Sequence, residues 1–268
     1  MRLGLRRVAR VVSDDTRGTL AASGYDDLEN EKSPAQTDRE VCSRTMTSVM
    51  DELPSAIKAA RAGASSLAPL DRELVALGVC ASSAVLDREG MRRHAAAAVA
   101  LGATAEQISE VLVTVSVIGM HTLTDGIPVV AEVLREAGAE EMTAGLDERR
   151  RELRERHVGE DPYWDAFEAR LPGFLDGLLR LAPEAYALFF AYSALPWRSG
   201  QLSAVLKEQL YVAVDATPTH VYESGLALHA TNARRLGSSP GDLADVLILA
   251  ARDDEATLSR TASIVAGA

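Results

Sequence analysis

His94 and His229 each follow a glutamate at the same distance: Glu73 to His94 is 21 residues, and Glu208 to His229 is 21. At that separation the two groups fall on adjacent antiparallel helices joined by a short connection, where carboxylate and imidazole can meet across the helix pair. Such a pair suits proton transfer. Burial raises the pKa of a carboxyl group and a neighbouring carboxylate raises that of a histidine, so both can titrate near neutrality. The same residue types also tie helices together with no chemistry attached. Further proton-transfer groups lie nearby in sequence. His220 and Tyr222 stand just before the helix that carries His229, and His121 lies at the end of a helix beyond His94. The candidate catalytic set is therefore Glu208, His220, Tyr222 and His229, with Glu73, His94 and His121. Three histidines near carboxylates can bind a metal, but no His-x-x-x-His or His-x-His spacing is present, and no metal is expected.

Both Glu–His pairs belong to one repeated unit. A shift of 135 positions, without a gap, carries Glu73 to Glu208, Gly90 to Gly225, His94 to His229, Ala98 to Ala233, Gly102 to Gly237, Val111 to Val246 and Leu123 to Leu258. A glutamate, a histidine and two glycines in one register point to internal duplication. The copies differ in their accessory groups: Val85 and Asp87 stand where repeat two has His220 and Tyr222, and Ala256 stands where repeat one has His121. Repeat two is expected to hold the more active pocket.

The elements that position these residues are helices. In each unit three are expected. The first runs from Pro69 or Leu70 to about Ala81, with Leu70, Leu74 and Leu77 on one stripe, and its counterpart starts after Ser203. The second runs from about Arg88 to Leu101 and ends at Gly102, a suitable residue just past a helix end. The third starts at Thr104 with Gln107 three residues on, a capping box, followed by Ile108, Val111, Leu112 and Val115 at helical spacing. Ser239-Pro240 opens its counterpart. No strand-like alternation competes. The expected architecture is all-α: a peripheral tail over residues 1–45, a first repeat over 46–138, a charged helical connector over 139–160 and a second repeat over 161–268.

Bulk properties narrow the function. The 268 residues are 47% hydrophobic and 25% charged, ordinary for a soluble globular chain, with only 4% aromatic residues. A net charge of −11 offers no basic surface for nucleic acid. The two cysteines, Cys42 and Cys80, suggest neither a disulfide framework nor a zinc site. No apolar run approaches the ~18 residues of a membrane span. Met1 to Val12 carries four arginines, but Asp14-Asp15 follow at once, which does not suit a transit peptide. A cytoplasmic protein with a small-molecule substrate is expected, without nucleic-acid or membrane partners.

The run Arg72-Glu73-Leu74-Val75-Ala76-Leu77, then His94, then Leu101-Gly102-Ala103-Thr104-Ala105-Glu106-Gln107-Ile108, resembles the carboxymuconolactone decarboxylase and alkyl hydroperoxidase D-like superfamily. Lys207-Glu208, Gly225 to His229 and Gly237 to Leu247 repeat the resemblance, so the chain looks like a two-unit member. The resemblance implies an all-α fold, a homo-oligomer (a dimer or trimer) and no organic cofactor. In the hydroperoxidase branch a Cys-x-x-Cys pair precedes the histidine. Those positions here are Asp87 and Gly90, and Tyr222 and Gly225, so both dithiols are missing and thiol peroxidase chemistry is disfavoured. The implied function is a cofactor-independent acid–base lyase (a decarboxylase) or isomerase acting on a small oxygenated carboxylic acid or lactone. The alternatives are a lactone hydrolase on the same scaffold and a non-catalytic helical binding or assembly protein.

Overall fold

A computed structural model describes residues 52–198 and 200–268, and every regular element among them is helical. The expected tail over residues 1–45 and Cys42 lie outside the described residues. Helix α1 covers 52–61. The first repeat continues with α2 (Pro69–Ala81), α3 (Arg88–Ala100), α4 (Ala105–Ser116), a 3-10 turn (Val117–Met120) and α5 (His121–Glu136). The intervening helices are α6 (Glu140–Thr143), α7 (Glu148–His157), α8 (Pro162–Arg170), α9 (Phe174–Leu181), α10 (Pro183–Ser193) and α11 (Leu195–Arg198). The counterparts of α2 to α5 follow as α12 (Ala204–Asp215), α13 (Glu223–Arg235), α14 (Pro240–Ala251) and α15 (Glu255–Gly267).

The three expected helices of each unit are present, and their local chemistry repeats. Thr104 and Gln107 close a capping box at the start of α4, as Ser239 and Asp242 do at α14. Gly102 (φ 92°) and Gly237 (φ 99°) end α3 and α13 in the left-handed region that a side chain disfavours. Leu86 (φ 49°) and Val221 (φ 37°), equivalent residues, turn the chain into α3 and α13 despite the cost to a side chain. Each unit also has a fourth helix that periodicity did not separate from the third. The fourth helices break the symmetry: α15 packs on α13, whereas α5 packs on α9.

The two repeats share one core. Leu74, Leu77, Val111 and Val115 of the first pack with Leu206, Leu210, Val246 and Leu247 of the second. Helices α2 and α12 approach closely at Gly78, where an added Cβ would lie 2.5 Å from a methyl of Leu210. A second cluster, built on Phe174, Leu178, Tyr186, Phe189 and Phe190, takes Leu123 and Ile127 of α5 as neighbours. Ala105–Glu136 forms one helical run of 32 residues whose most apolar window has a mean hydropathy of 1.3, with 22% of that window buried. By length and composition it reaches the range of a membrane span, contrary to the sequence expectation, because short apolar stretches join across the 3-10 turn. Glu110 and His121 within it hold polar contacts to the loops that flank α12.

A reciprocal clamp locks the halves together. Glu110 of α4 accepts hydrogen bonds from the backbone N–H groups of Gln201 (2.9 Å) and Leu202 (3.0 Å), just before α12. Asp245 of α14 accepts from those of Ser66 (2.5 Å) and Leu67 (2.9 Å), just before α2. Lys207 lies 2.8 Å from Glu110, and Arg72 lies 3.7 Å from Asp245. Each member is offset from its counterpart by the same 135 residues. Thr219 Oγ1 donates to the carbonyl of Ala84, its own equivalent, at 2.9 Å. Equivalent residues facing each other mark a pseudo-twofold relation.

The clamp is testable by equilibrium denaturation. Asp245→Ala leaves two backbone N–H groups without their acceptor and should cost about 2–3 kcal/mol. Glu110→Ala removes the carboxylate beside a buried ammonium and should cost about 3–5 kcal/mol. Unfolding midpoints equal to wild type in both variants would refute a stabilising clamp.

Candidate functional site

Each expected Glu–His pair forms. Glu208 on α12 and His229 on α13 meet at 2.7 Å (Oε2 to Nδ1), and Glu73 on α2 and His94 on α3 meet at 2.8 Å. Their surroundings differ. The Glu208 side chain is 1% exposed, against 25% for Glu73. Asn232 donates to the other Glu208 oxygen at 3.3 Å, and the Tyr211 ring stacks on His229 at 4.6 Å between centroids. Glu208 is therefore held as an acceptor. His229 presents its Nδ1 proton to it, which leaves Nε2 as the nitrogen that can exchange protons. Burial alone would depress His229, but the charge and hydrogen bond of Glu208, with the charge of Asp215, outweigh it and raise the imidazole above its ordinary value.

Asp215 was not anticipated from the sequence. It sits seven residues after Glu208, two turns along the same helix, so both carboxylates share a face. It is 1% exposed, and neither of its side-chain oxygens has a hydrogen-bond partner. Burial, reinforced by Glu208 and opposed by His229, pushes its pKa up to about 7. Gly225, one turn into α13, lies directly against this carboxylate: an added Cβ would collide with Asp215 Oδ2 and the Tyr222 ring. Cys80 and Gly90 repeat this contact in the first unit. Cys80 stands at the same offset from Glu73 as Asp215 does from Glu208.

His121 belongs with repeat two. Sequence reasoning assigned it to repeat one, but the 3-10 turn carries the start of α5 to the α12–α13 connection. There His121 Nδ1 lies 2.8 Å from His220 Nε2, with the two rings parallel within 1°. The Tyr222 ring packs on His121 at 4.0 Å, and the Tyr222 hydroxyl lies 3.2 Å from Thr124 Oγ1. Burial, with the charges of His220 and His229, lowers the His121 pKa to about 3, and burial lowers that of His220. The Tyr222 phenol is raised, chiefly by burial. Near neutral pH this cluster is two neutral imidazoles and a protonated phenol.

The expected pocket residues thus divide into two sets. His121, His220 and Tyr222 line a cavity of about 680 Å³, together with Asp125, Ser224 and Arg260. Glu208 and His229 do not line it. They are linked to it electrostatically, since His229 acts on His121 and on Asp215. Glu73 and His94 stand apart in the first repeat, where Arg93 Nη2 is 3.3 Å from His94 Nε2. A second cavity of about 470 Å³, against α4 and Leu195, has no imidazole in its wall.

The raised His229 value gives a titration test. Protonated His229 is favoured in the fold, so its contribution to stability is fully present below the ordinary histidine pKa, about 6.5, and is lost as pH rises through the raised value. Histidine ring NMR should show His229 titrating above that ordinary value and falling toward or below it in Glu208→Gln. A midpoint indifferent to Glu208→Gln would separate the pair.

The carboxymuconolactone decarboxylase family model matches residues 50–127 and 183–266, more than half of the chain. A crystal structure from Burkholderia xenovorans LB400, described as that of a "putative gamma-carboxymuconolactone decarboxylase subunit", is 31% identical with a TM-score of 0.58. The match covers 91% of this chain and 92% of that one. No match was found among curated proteins. With two matching segments, one on each half of the duplication, the chain belongs to the carboxymuconolactone decarboxylase family as a member that carries the family's unit twice.

Proposed function

We propose that this protein is an acid–base lyase or isomerase acting on a small oxygenated carboxylic acid or lactone, with its working site in repeat two. The observation that carries this reading is the convergence of a Glu208-held His229, a buried Asp215, two neutral imidazoles and a phenol beside one polar cavity. Decarboxylation breaks the bond to the carboxylate carbon and leaves its electron pair as an enolate. The enzyme must then hold the enolate oxygen and return a proton to carbon. The Tyr222 hydroxyl and the imidazoles of His121 and His220 are the donors available in the cavity wall. His229 is the proton reservoir, oriented by Glu208 and coupled to the cavity through Asp215. Arg260, held by Glu223 at 2.6 Å, lines the same cavity and supplies a cation for a substrate carboxylate.

A thiol mechanism lacks its nucleophile among the described residues. Cys80 is buried against Gly90, and burial pushes its thiol up rather than toward thiolate. On this reading the protein works in the cytoplasm on a diffusible substrate. It also assembles with further copies of itself, dimer or trimer, which would cover Leu112, Val113, Val129, Val130 and Val133, all exposed along the α4–α5 run.

Turnover on a panel of small oxo acids and lactones, followed by carbon dioxide release or ultraviolet absorbance, tests the reading. His229→Ala should lower kcat by roughly 10²-fold or more, the weight of a general acid–base group. His94→Ala, whose glutamate partner is 25% exposed against 1% for Glu208, should lose less. If His94→Ala is the more damaged folded variant, the active half is misassigned. If neither loses activity, the pairs are structural. Light scattering at micromolar concentration should report a multiple of 28.6 kDa, and a monomer mass would refute the assembly.

A further inference from the structure

Three metal-ligating side chains, His121 from the first repeat and Asp215 and His220 from the second, meet at one point, and none has a counterpart of its own type at the equivalent position. Where His121, Asp215 and His220 stand, the equivalent residues are Ala256, Cys80 and Val85. His121 Nδ1 and His220 Nε2 are 2.8 Å apart, and Asp215 Oδ1 lies 3.7 Å from the first and 3.8 Å from the second. A point equidistant from three atoms so spaced is about 2.0 Å from each, the length of a bond from nitrogen or carboxylate oxygen to zinc. The second, independent observation is the Asp215 carboxylate. It is buried at the floor of the cluster with neither oxygen hydrogen-bonded, a state that costs free energy unless a cation or a proton meets it. The two imidazoles are partly open to the cavity, at 20% and 24% side-chain exposure.

We propose that His121, Asp215 and His220 form a binding site for one divalent first-row transition-metal ion, with two imidazole nitrogens and one carboxylate oxygen as protein ligands. Two histidines and a carboxylate are a ligand set that such ions take with other positions left open. The open positions here face the cavity, within reach of a carbonyl or carboxylate oxygen of whatever binds there. As arranged, the two nitrogens point at each other, and binding turns both lone pairs toward the ion. The Tyr222 ring packs on His121, and the left-handed turn at Val221 follows His220. The site departs from the expectation of no metal because its ligands come from three separate elements, the start of α5, the end of α12 and the loop after it, which no short spacing rule detects.

The inference does not rest on the proposed reaction, and its test does not use turnover. The full chain is treated with chelator, checked for helicity, and titrated with zinc by calorimetry and with cobalt by visible absorption. One equivalent should bind per chain, and cobalt should give the ligand-field bands of a nitrogen- and oxygen-ligated ion. His220→Ala and His121→Ala should weaken binding by more than the roughly 10–100-fold that loss of an outer-sphere partner costs. His94→Ala should bind as wild type does. Asp215→Asn should behave like the histidine variants. If it fails to fold, the two histidine variants at the cavity wall decide the matter. No stoichiometric binding by wild type, or binding that survives both histidine variants, overturns the proposal and leaves the cluster as a proton-sharing network.

Discussion

Two buried carboxylates hold the halves of this protein against each other. Glu110 and Asp245 each reach from one repeat to the loop that opens the other, and each meets two backbone N–H groups there. A buried carboxylate is stable only when its charge and lone pairs are answered. The loops before α2 and α12 are thus fixed by the opposite repeat. Those helices carry Glu73 and Glu208, so the placement of both glutamates depends on a contact made across the duplication. Close approach at Gly78 completes the same junction, because a larger residue there would force the Leu210 and Val115 side chains to shift.

The site arises where this symmetry fails. Helices α2 to α4 and α12 to α14 correspond, but α5 and α15 diverge after the third helix. The divergence brings His121 across to the α12–α13 connection, beside His220 and Tyr222, while its counterpart Ala256 brings nothing. Divergence also placed Asp215 where the first repeat has Cys80. Both side chains lie against a glycine of the next helix, so the backbone frame is common and the chemistry differs. One copy of the unit has a partly exposed Glu–His pair with Arg93 beside it. The other has a desolvated pair next to a carboxylate, two imidazoles and a phenol.

Desolvation separates the two Glu–His pairs in consequence as well as in appearance. Around Glu208 the low-dielectric surroundings strengthen each electrostatic interaction, so the carboxylate can hold His229 charged although burial opposes it. The same burial keeps His121 and His220 neutral, because no hydrogen-bonded carboxylate answers them. One small region therefore holds one imidazole whose charged form is favoured and two whose neutral form is favoured. That spread of proton affinities within one cluster is what acid–base chemistry requires.

The sequence by itself determined the repeat, the helices and the Glu–His pairing. These follow from local rules: apolar spacing, capping residues, glycines past helix ends and an ungapped 135-residue register. It also determined that no dithiol precedes either histidine. It did not determine which residues share a site across the repeats. His121 was legible as a proton-transfer residue, but its partner depended on a 3-10 turn and on which helix α5 packs against. The four residues expected in one pocket were legible singly, yet only His220 and Tyr222 line the cavity, because helix phase at α12 turns Glu208 into the core, and His229 on α13 pairs with it there rather than facing the cavity. Asp215 was overlooked because a lone aspartate at a helix end reads as a solvated residue. Only packing against Gly225 buried it, and burial is a property of the assembled core, with no local pattern to announce it.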